Sequence, residues 1–194
     1  MKKIILSLTL ITLFVGPIAH AEQIEGREFP AEMDINGKKL ALNGMGVRKV
    51  NRFGLNFKVY AGALYLSKKT KSRDDVLNAT EPVLIKMSYL RRVDKKDIAE
   101  ALETGHSNNC KMDEARCTAS KKVLKQLTDK MTDLLDKSTF ELVIYPDKVD
   151  YNINGRQKLV GTLMGADIAK NILGIYFGDK PASEELRDGF LALK

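Results

Sequence analysis

Two of the three Asn-Gly dipeptides restrict the fold of this chain more than any other feature: Asn36-Gly37 and Asn154-Gly155. Both residues tolerate the left-handed backbone of a type I′ turn, so Asn-Gly between apolar runs is the strongest short-range sign of a β-hairpin. The first dipeptide joins a weakly alternating run over residues 29–35 to a return strand over residues 38–50. The sequence therefore predicts antiparallel strand pairs near both ends of the chain.

The remaining apolar runs extend this pattern into a layout of strands and helices. Alternating or β-branched runs predict further strands over residues 55–66, 83–93, 139–145, 148–153 and 156–163. Capping residues and three-to-four spacing predict helices over residues 72–79, 94–103, 113–136, 166–177 and 181–193. Strands first, with helices in the middle and at the end, predict an α+β fold with a largely antiparallel sheet.

The N-terminus has the three parts of a cleavable signal peptide. Lys2 and Lys3 precede an apolar run over residues 4–15, and Ala19-His20-Ala21 supplies the small-x-small cleavage pattern. The alternative, a retained anchor, needs about 20 apolar residues, more than this run provides. We therefore predict a signal peptide over residues 1–21, one domain over residues 22–194, and a periplasmic or secreted protein without a membrane span after cleavage.

The net charge is positive but diffuse. The formal charge of +7 falls to +5 once Lys2 and Lys3 are removed, and acidic residues interleave with most of the basic groups. No recognised nucleic-acid motif accompanies the charge, so we expect no nucleic-acid partner. Weak attraction to anionic lipid surfaces is compatible with this composition. We expect a monomer.

The cysteine and histidine inventory limits the chemistry. Cys110 and Cys117 are the only cysteines, and in an oxidising compartment such a pair most simply forms a disulfide. The rival is a metal site with His106 as third ligand, but it lacks a fourth ligand and a common zinc spacing. His106 falls in a polar run over residues 104–109 that predicts a loop and an exposed ring. We assign no catalytic residue, metal or cofactor.

A glycine-rich strand carries the most informative arginine. Gly44 and Gly46 are unusual inside a strand and mark a bulge or a close approach to the backbone. Without a bulge, Arg48 shares a face with Leu40 and Leu42, which places a permanent cation at an apolar wall. Its planar fork suits a carboxylate or phenolate. The alternatives are an internal salt bridge and simple exposure.

Three stretches together resemble a known family. They are Leu42-Asn43-Gly44-Met45-Gly46-Val47-Arg48-Lys49, residues 57–66 (FKVYAGALYL), and residues 172–178 (ILGIYFG) followed by Pro181 and Ser183. The chain resembles the bacterial, exported branch of the chalcone isomerase-like family. This resemblance implies an open-faced β-sandwich, in which a large antiparallel sheet carries a layer of helices and a ligand cleft lies between them. The family contains plant enzymes that cyclise chalcones to flavanones, fatty-acid-binding proteins and non-catalytic relatives.

The resemblance also assigns roles to particular residues. It implies that Arg48 is the polar anchor for a ligand and that Tyr60 stands where the plant enzyme has a strand threonine. Along an unbroken strand Tyr60 faces away from Phe57 and Val59; it could equally be a partly buried packing residue. The segment over residues 94–103, which corresponds to the helix that carries the enzyme's catalytic tyrosine, contains neither tyrosine nor asparagine. Those catalytic roles are therefore not carried over.

Three functions follow from these observations. The first is an exported, non-catalytic protein that binds a small amphipathic acid, such as a fatty acid, with Arg48 and Tyr60 at the head group. The second is an isomerase or lyase acting on a chalcone-like phenolic ketone, because cyclisation needs mainly positioning and anion stabilisation. The third is a structural or partner-binding envelope protein with a vestigial cleft, in which Arg48 pairs with an internal carboxylate.

Overall fold

The structure is a computed structural model that describes residues 21–52 and 54–193. The predicted signal peptide, apart from Ala21, lies outside these residues and stays a prediction. The strands of the described part are β1 (Ala21–Ile24), β2 (Arg27–Pro30), β3 (Glu32–Ile35), β4 (Lys38–Arg52), β5 (Leu55–Leu66), β6 (Val83–Tyr89), β7 (Thr139–Ile144), β8 (Lys148–Asn154) and β9 (Lys158–Met164). The helices are α1 (Arg73–Leu77), α2 (Lys95–Asn109), α3 (Glu114–Thr128), α4 (Ala166–Phe177) and α5 (Glu184–Phe190).

Strands β3 to β9 form one antiparallel sheet in which each strand pairs with the next along the chain. Strands β1 and β2 form a separate hairpin. The turn between β3 and β4 has Asn36 and Gly37 at positive φ, as a type I′ turn requires. The second dipeptide lies instead in a longer loop, because Asn154 pairs with Lys158 and leaves three residues between the strands. The predicted α+β architecture, a large antiparallel sheet with helices packed on it, is confirmed.

Each face of the sheet has its own apolar cluster. The larger cluster lies between the sheet and the helices and includes Leu64, Ile85, Leu142, Ile172 and Phe177, all at most 2% exposed. Full burial of such a side chain contributes about 1.5–3 kcal/mol, so this layer supplies most of the driving force for folding. The smaller cluster lies on the opposite face, where Phe29 of β2 packs with residues of β4, β5 and β6 (Leu40, Leu42, Ala61, Ala63, Tyr65 and Leu84).

A β-bulge at Asn43 decides which face Arg48 occupies. Leu42 pairs with Tyr65 and Gly44 pairs with Leu64, so Asn43 is an extra residue in β4. The bulge places Gly44, Gly46 and Arg48 on the helix-covered face, whereas Leu40 and Leu42 remain in the smaller cluster on the other face. The prediction that Arg48 shares a face with Leu40 and Leu42 is therefore wrong.

The side chain of Asn43 stabilises this bulge through contacts remote in sequence. Its amide donates to the carbonyl of Thr70 (3.0 Å) and to the carbonyl of Phe190 (2.7 Å), and its oxygen accepts from the Thr70 N–H (2.8 Å). Asn43 thereby ties β4 to helix α5. These partners satisfy its buried amide, which would otherwise carry a desolvation cost.

The glycines of β4 allow α5 to pack directly on the strand. A Cβ added at Gly44 would lie 2.3 Å from the Gly189 carbonyl oxygen, and one added at Gly46 would lie 2.8 Å from the Leu186 carbonyl oxygen. Both contacts are with helix backbone, which has little freedom to retreat. The predicted bulge and the predicted close approach to the backbone are both confirmed.

Three helices differ by several residues from their predicted spans. Helix α5, predicted over residues 181–193, spans only Glu184–Phe190. Helix α2 continues to Asn109 rather than ending at residue 103, because His106 and Asn109 of the polar run are buried and hydrogen-bonded to neighbouring segments. Helix α3 ends at Thr128, well before residue 136. The chain after it turns back so that Leu134 exchanges two backbone hydrogen bonds with Val93 (2.8 and 3.0 Å). Strand β6 ends at Tyr89, four residues before the end of its predicted span.

Candidate functional site

An open cavity of about 440 Å³ lies between the helix-covered face of the sheet and α2. Its floor is formed by β4, β5, β6 and β7, and its roof by one side of α2, the end of α4 and residues 180–182. The apolar side chains of its wall are Val50, Val59, Met87, Val93, Ile98, Leu102, Phe140 and Ile175. A volume of this size lies within the range of about 300–1,000 Å³ that small-molecule sites occupy.

Arg48 is the cation on the sheet side of this cavity. It stands on β4 directly opposite Tyr60 of β5, and its Nη1 donates to the carbonyl of Lys49 (2.9 Å). Within the part of the chain that the structure describes, the guanidinium forms no ion pair with a carboxylate. The half-buried Arg48 therefore presents the rest of its donor fork to the cavity.

A second bulge, at Val59, changes the predicted orientation of Tyr60. Lys58 pairs with Lys49 and Tyr60 pairs with Arg48, so Val59 is an extra residue in β5. As a result Val59 and Tyr60 both line the cavity, and Phe57 lies beside it on the same side of the sheet. The predicted alternation along an unbroken strand is wrong at this point.

Three tyrosines line the cavity together with the arginine. Tyr60 and Tyr89 lie opposite each other on β5 and β6, with ring centroids 5.4 Å apart, and Tyr176 of α4 donates to the Met87 sulfur (3.7 Å). Neither the Tyr60 nor the Tyr89 hydroxyl forms a hydrogen bond with another described residue. Neither hydroxyl oxygen is fully buried, since neither is among the buried polar atoms that lack a partner. Both hydroxyls are therefore accessible from the cavity.

Burial keeps these phenols protonated. It raises the pKa of Tyr60 to about 12, against the opposing effect of the Arg48 charge. Burial also raises the pKa of Tyr89, and Tyr60 adds to that shift. The pKa of Tyr176 is raised well above its usual value for the same first reason, although Arg48 again opposes the shift. At neutral pH the group therefore combines one fixed cation with neutral hydroxyl donors, which suits an anionic ligand atom.

The α2 side of the opening is polar. Asp97, Ala101, Thr104 and Asn108 follow one another along one exposed stripe of the helix, and Lys180 faces them from the chain after α4. No tyrosine stands on this side of the cavity. The arrangement resembles the entrance to a binding cleft, with solvated groups at the rim and apolar groups inside.

Comparison with known proteins identifies the family. The family model described as chalcone isomerase-like matches residues 21–192. The chain belongs to the chalcone isomerase-like family.

A solved structure of another protein has the same fold as this chain. It is a fatty-acid binding protein of Arabidopsis thaliana, at a TM-score of 0.69 and 21% identity, and the match covers 89% of this chain and 96% of that chain. At this identity the likeness establishes the fold alone. A search among curated proteins finds no match.

Sequence reasoning about this chalcone isomerase-like chain missed two of the cavity tyrosines. Tyr89 has the same strand parity as Met87 and Ile85, both buried on the helix-covered face, so its direction could have been read from β6. Tyr176 lies inside the family-like segment over residues 172–178, but nothing in a helical pattern shows that it meets a strand tyrosine. The meeting depends on how α4 crosses the sheet.

The predicted disulfide is confirmed, and the predicted environment of His106 is wrong. Cys110 and Cys117 are bonded between the end of α2 and the first turn of α3. His106 lies within α2 rather than in a loop and is 1% exposed. Its Nε2 hydrogen-bonds with the Ser120 hydroxyl (3.0 Å), and the Asn171 amide donates to the same hydroxyl (2.9 Å). Burial lowers the pKa of His106, and Lys121 lowers it further.

The described residues contain neither a metal site nor a membrane-spanning helix. Among residues 21–52 and 54–193, no three metal-ligating side chains converge. No helix in these same ranges is long and apolar enough to cross a membrane.

Proposed function

We propose that this chain is an exported, non-catalytic binding protein for a small amphipathic acid such as a fatty acid. The acid's carboxylate is held by Arg48 with help from Tyr60, and its tail lies along the apolar wall of the cavity. The observation that carries the proposal is a half-buried arginine that faces an open apolar cavity and has no carboxylate partner among the described residues.

The charge argument starts from the cost of a half-buried cation. A charge removed from water is unfavourable unless an opposite charge and hydrogen bonds compensate for it. Arg48 has one backbone acceptor from its own strand, which leaves donors free for a ligand. Tyr60, with a pKa of about 12, offers a hydroxyl that donates rather than competes as an anion. A carboxylate satisfies both groups at once.

The apolar wall accounts for the rest of the ligand. Ile98, Leu102, Phe140 and Ile175 line the same cavity as the polar group and offer no hydrogen bond. Each methylene buried against such a wall gains about 0.8 kcal/mol. An acid with an alkyl tail therefore uses both halves of the cavity, whereas a small hydrophilic acid uses only one.

Two further observations support the proposal. The structurally similar Arabidopsis protein is described as a fatty-acid binding protein. The predicted signal peptide and the disulfide between Cys110 and Cys117 both agree with export to an oxidising compartment, the periplasm or the exterior, and with membership of the exported branch. This chain then binds its ligand outside the cytoplasm as a small, non-enzymatic carrier.

The alternatives are weaker on specific grounds. An isomerase would use Arg48 to stabilise a developing anion, but the α2 side of the cavity holds Asp97, Ala101 and Thr104 rather than an added acid–base phenol. A chalcone turnover assay separates this alternative from binding. A vestigial cleft would be filled, with Arg48 paired internally; the cavity is open, and the described carboxylates form no such pair.

The test compares fatty-acid titrations of wild type and matched variants. Arg48→Met should weaken binding about 10- to 100-fold, because it removes a charge-assisted hydrogen-bonded pair. Lys49→Met is the control: it removes the neighbouring cation, which pairs with Glu185 at the surface, and should leave the affinity unchanged. Native mass spectrometry of purified wild type should also detect a bound acid. The proposal fails if no acid is bound and Arg48→Met titrates like wild type.

A further inference from the structure

The end of the β4–β5 hairpin projects beyond the rest of the sheet. Pairing between β5 and β6 stops at Tyr60, whereas pairing between β4 and β5 continues for four more residue pairs, from Lys49 with Lys58 to Arg52 with Leu55. We call residues 49–51 and 55–58 the hairpin end. No third strand of the described chain pairs with it, and Leu55 and Asn56 at its turn are exposed.

The hairpin end is apolar at its tip and beside the cavity. Leu55 is 62% exposed, although most leucines of the chain are buried. Behind it, Phe57 and Val50 line an open depression that continues into the ligand cavity through Val50 and Val59, which border both. The depression, whose other lining residues are Arg91, Arg92, Val93, Asp94 and Asp97, connects the hairpin end to the cavity mouth.

Basic side chains lie near this apolar tip. The sequence contains no Asp or Glu from Ile35 to Arg73, a span that includes both strands of the hairpin. Lys49 and Lys58 belong to the hairpin end, and each is paired with a carboxylate from another segment. The Arg91 guanidinium lies 5.0 Å from the centroid of the Phe57 ring and forms no ion pair with a described carboxylate.

We propose that the hairpin end is a docking surface for an anionic lipid bilayer. Amphipathic elements bind a bilayer by inserting an apolar edge while basic groups contact anionic head groups, and this surface has both parts. Leu55 and Phe57 enter the interface, and Arg91 contacts the phosphates. Docking in this orientation points the cavity mouth at the lipid.

The size of the surface favours a bilayer over a protein partner. A stable protein interface buries about 800 Å² on each side, which needs a broad complementary face. A projecting hairpin tip offers a small and narrow area instead. A fluid bilayer accommodates such a tip because lipids rearrange around it. The docking does not require a bound ligand; only its use, exchange of an acyl ligand between bilayer and cavity, depends on the proposed function.

The chain contains no tryptophan, so a single introduced tryptophan reports its own environment. Leu55→Trp places the probe at the tip of the hairpin end. Val160→Trp is the matched control, because Val160 is also 62% exposed but lies on β9 at the opposite part of the sheet. On phosphatidylglycerol-containing vesicles we expect Leu55→Trp fluorescence to shift to the blue and to be quenched by brominated lipid, and Val160→Trp fluorescence to stay unchanged. Added salt should reverse the shift.

Variants that introduce a negative charge complete the test. Leu55→Glu should lower the vesicle-bound fraction in sedimentation about tenfold, since it replaces an inserted side chain with an anion, whereas Val160→Glu should not. Leu55→Glu should keep the wild-type fatty-acid titration, which separates docking from ligand binding. The docking surface is refuted if wild type does not sediment with anionic vesicles. Equal responses at positions 55 and 160, or equal binding to phosphatidylcholine vesicles, refute it as well.

Discussion

Replacing Gly44 with alanine tests how the helix layer meets the sheet. Gly→Ala in a strand usually stabilises a protein slightly, because it restricts the unfolded chain. Here the added Cβ would lie 2.3 Å from the Gly189 carbonyl oxygen and 2.7 Å from the Phe190 carbonyl oxygen. Ordinary contact begins near 3.5 Å, so α5 would have to move by roughly 1 Å. We expect Gly44→Ala to lower the free energy of unfolding by about 3 kcal/mol.

Gly62→Ala provides a contrast on the neighbouring strand. Its added Cβ would lie 2.9 Å and 3.0 Å from the Cζ and Cε1 atoms of the Phe190 ring, which is a side chain and can be shortened. Gly62→Ala should cost about 1–2 kcal/mol, and a second change, Phe190→Leu, should recover at least about 1 kcal/mol relative to additivity. The Cβ added by Gly44→Ala contacts backbone atoms of α5, so Phe190→Leu should not recover the stability that Gly44→Ala loses.

Urea unfolding of the three single variants and the two double variants measures both effects. The comparison requires that the dependence of the unfolding free energy on urea concentration is the same for all variants, so that a change in midpoint reports a change in stability. A neutral or stabilising Gly44→Ala would show that α5 does not lie on β4 as described. Equal rescue of both alanines by Phe190→Leu would show that side-chain packing, rather than backbone contact, limits this interface.

Three more outcomes follow from the packing around α2. Asn109→Ala should lower the unfolding free energy by about 2–3 kcal/mol in thermal melts, because the Asn109 side chain bonds both the N–H (3.1 Å) and the carbonyl (2.8 Å) of Lys180. Reduction of the Cys110–Cys117 bond should cost about 2 kcal/mol, since the loop it closes is short; an unchanged melt after confirmed reduction would contradict this. Burial lowers the pKa of His106, so below about pH 6.5 the unfolded chain binds a proton that the folded chain excludes. The free energy of unfolding should therefore be constant above about pH 6.5 and decrease as the pH falls below it. In urea titrations, His106→Gln should reduce that decrease.

Local signals predicted the elements of this fold well. The Asn36-Gly37 turn and the Ser72 cap both act within a few residues, and both are present as predicted. The glycines of β4 also gave a correct local signal, since they allow α5 to approach. The family resemblance added the layer arrangement, which no single element specifies.

The errors arise where distant residues decide the local structure. Asn43 forms its bulge because Thr70 and Phe190 accept or donate hydrogen bonds from far along the chain, and this bulge sets the face of Arg48. The polar run ending at residue 109 is helical because Ser120 hydrogen-bonds His106 from another helix. A pattern read along one segment contains neither contact. The cation could be predicted from sequence; its surroundings could not.

The most direct test of the account follows the bound carboxylate itself. A fatty acid labelled with carbon-13 at its carboxyl carbon can be titrated by NMR in complex with wild type, Arg48→Met and the control Lys49→Met. A guanidinium beside the carboxylate favours its charged form, so the pKa of the bound acid should be lower in wild type and Lys49→Met than in Arg48→Met. A bound acid that titrates identically in all three proteins would contradict the assignment of Arg48 as its anchor.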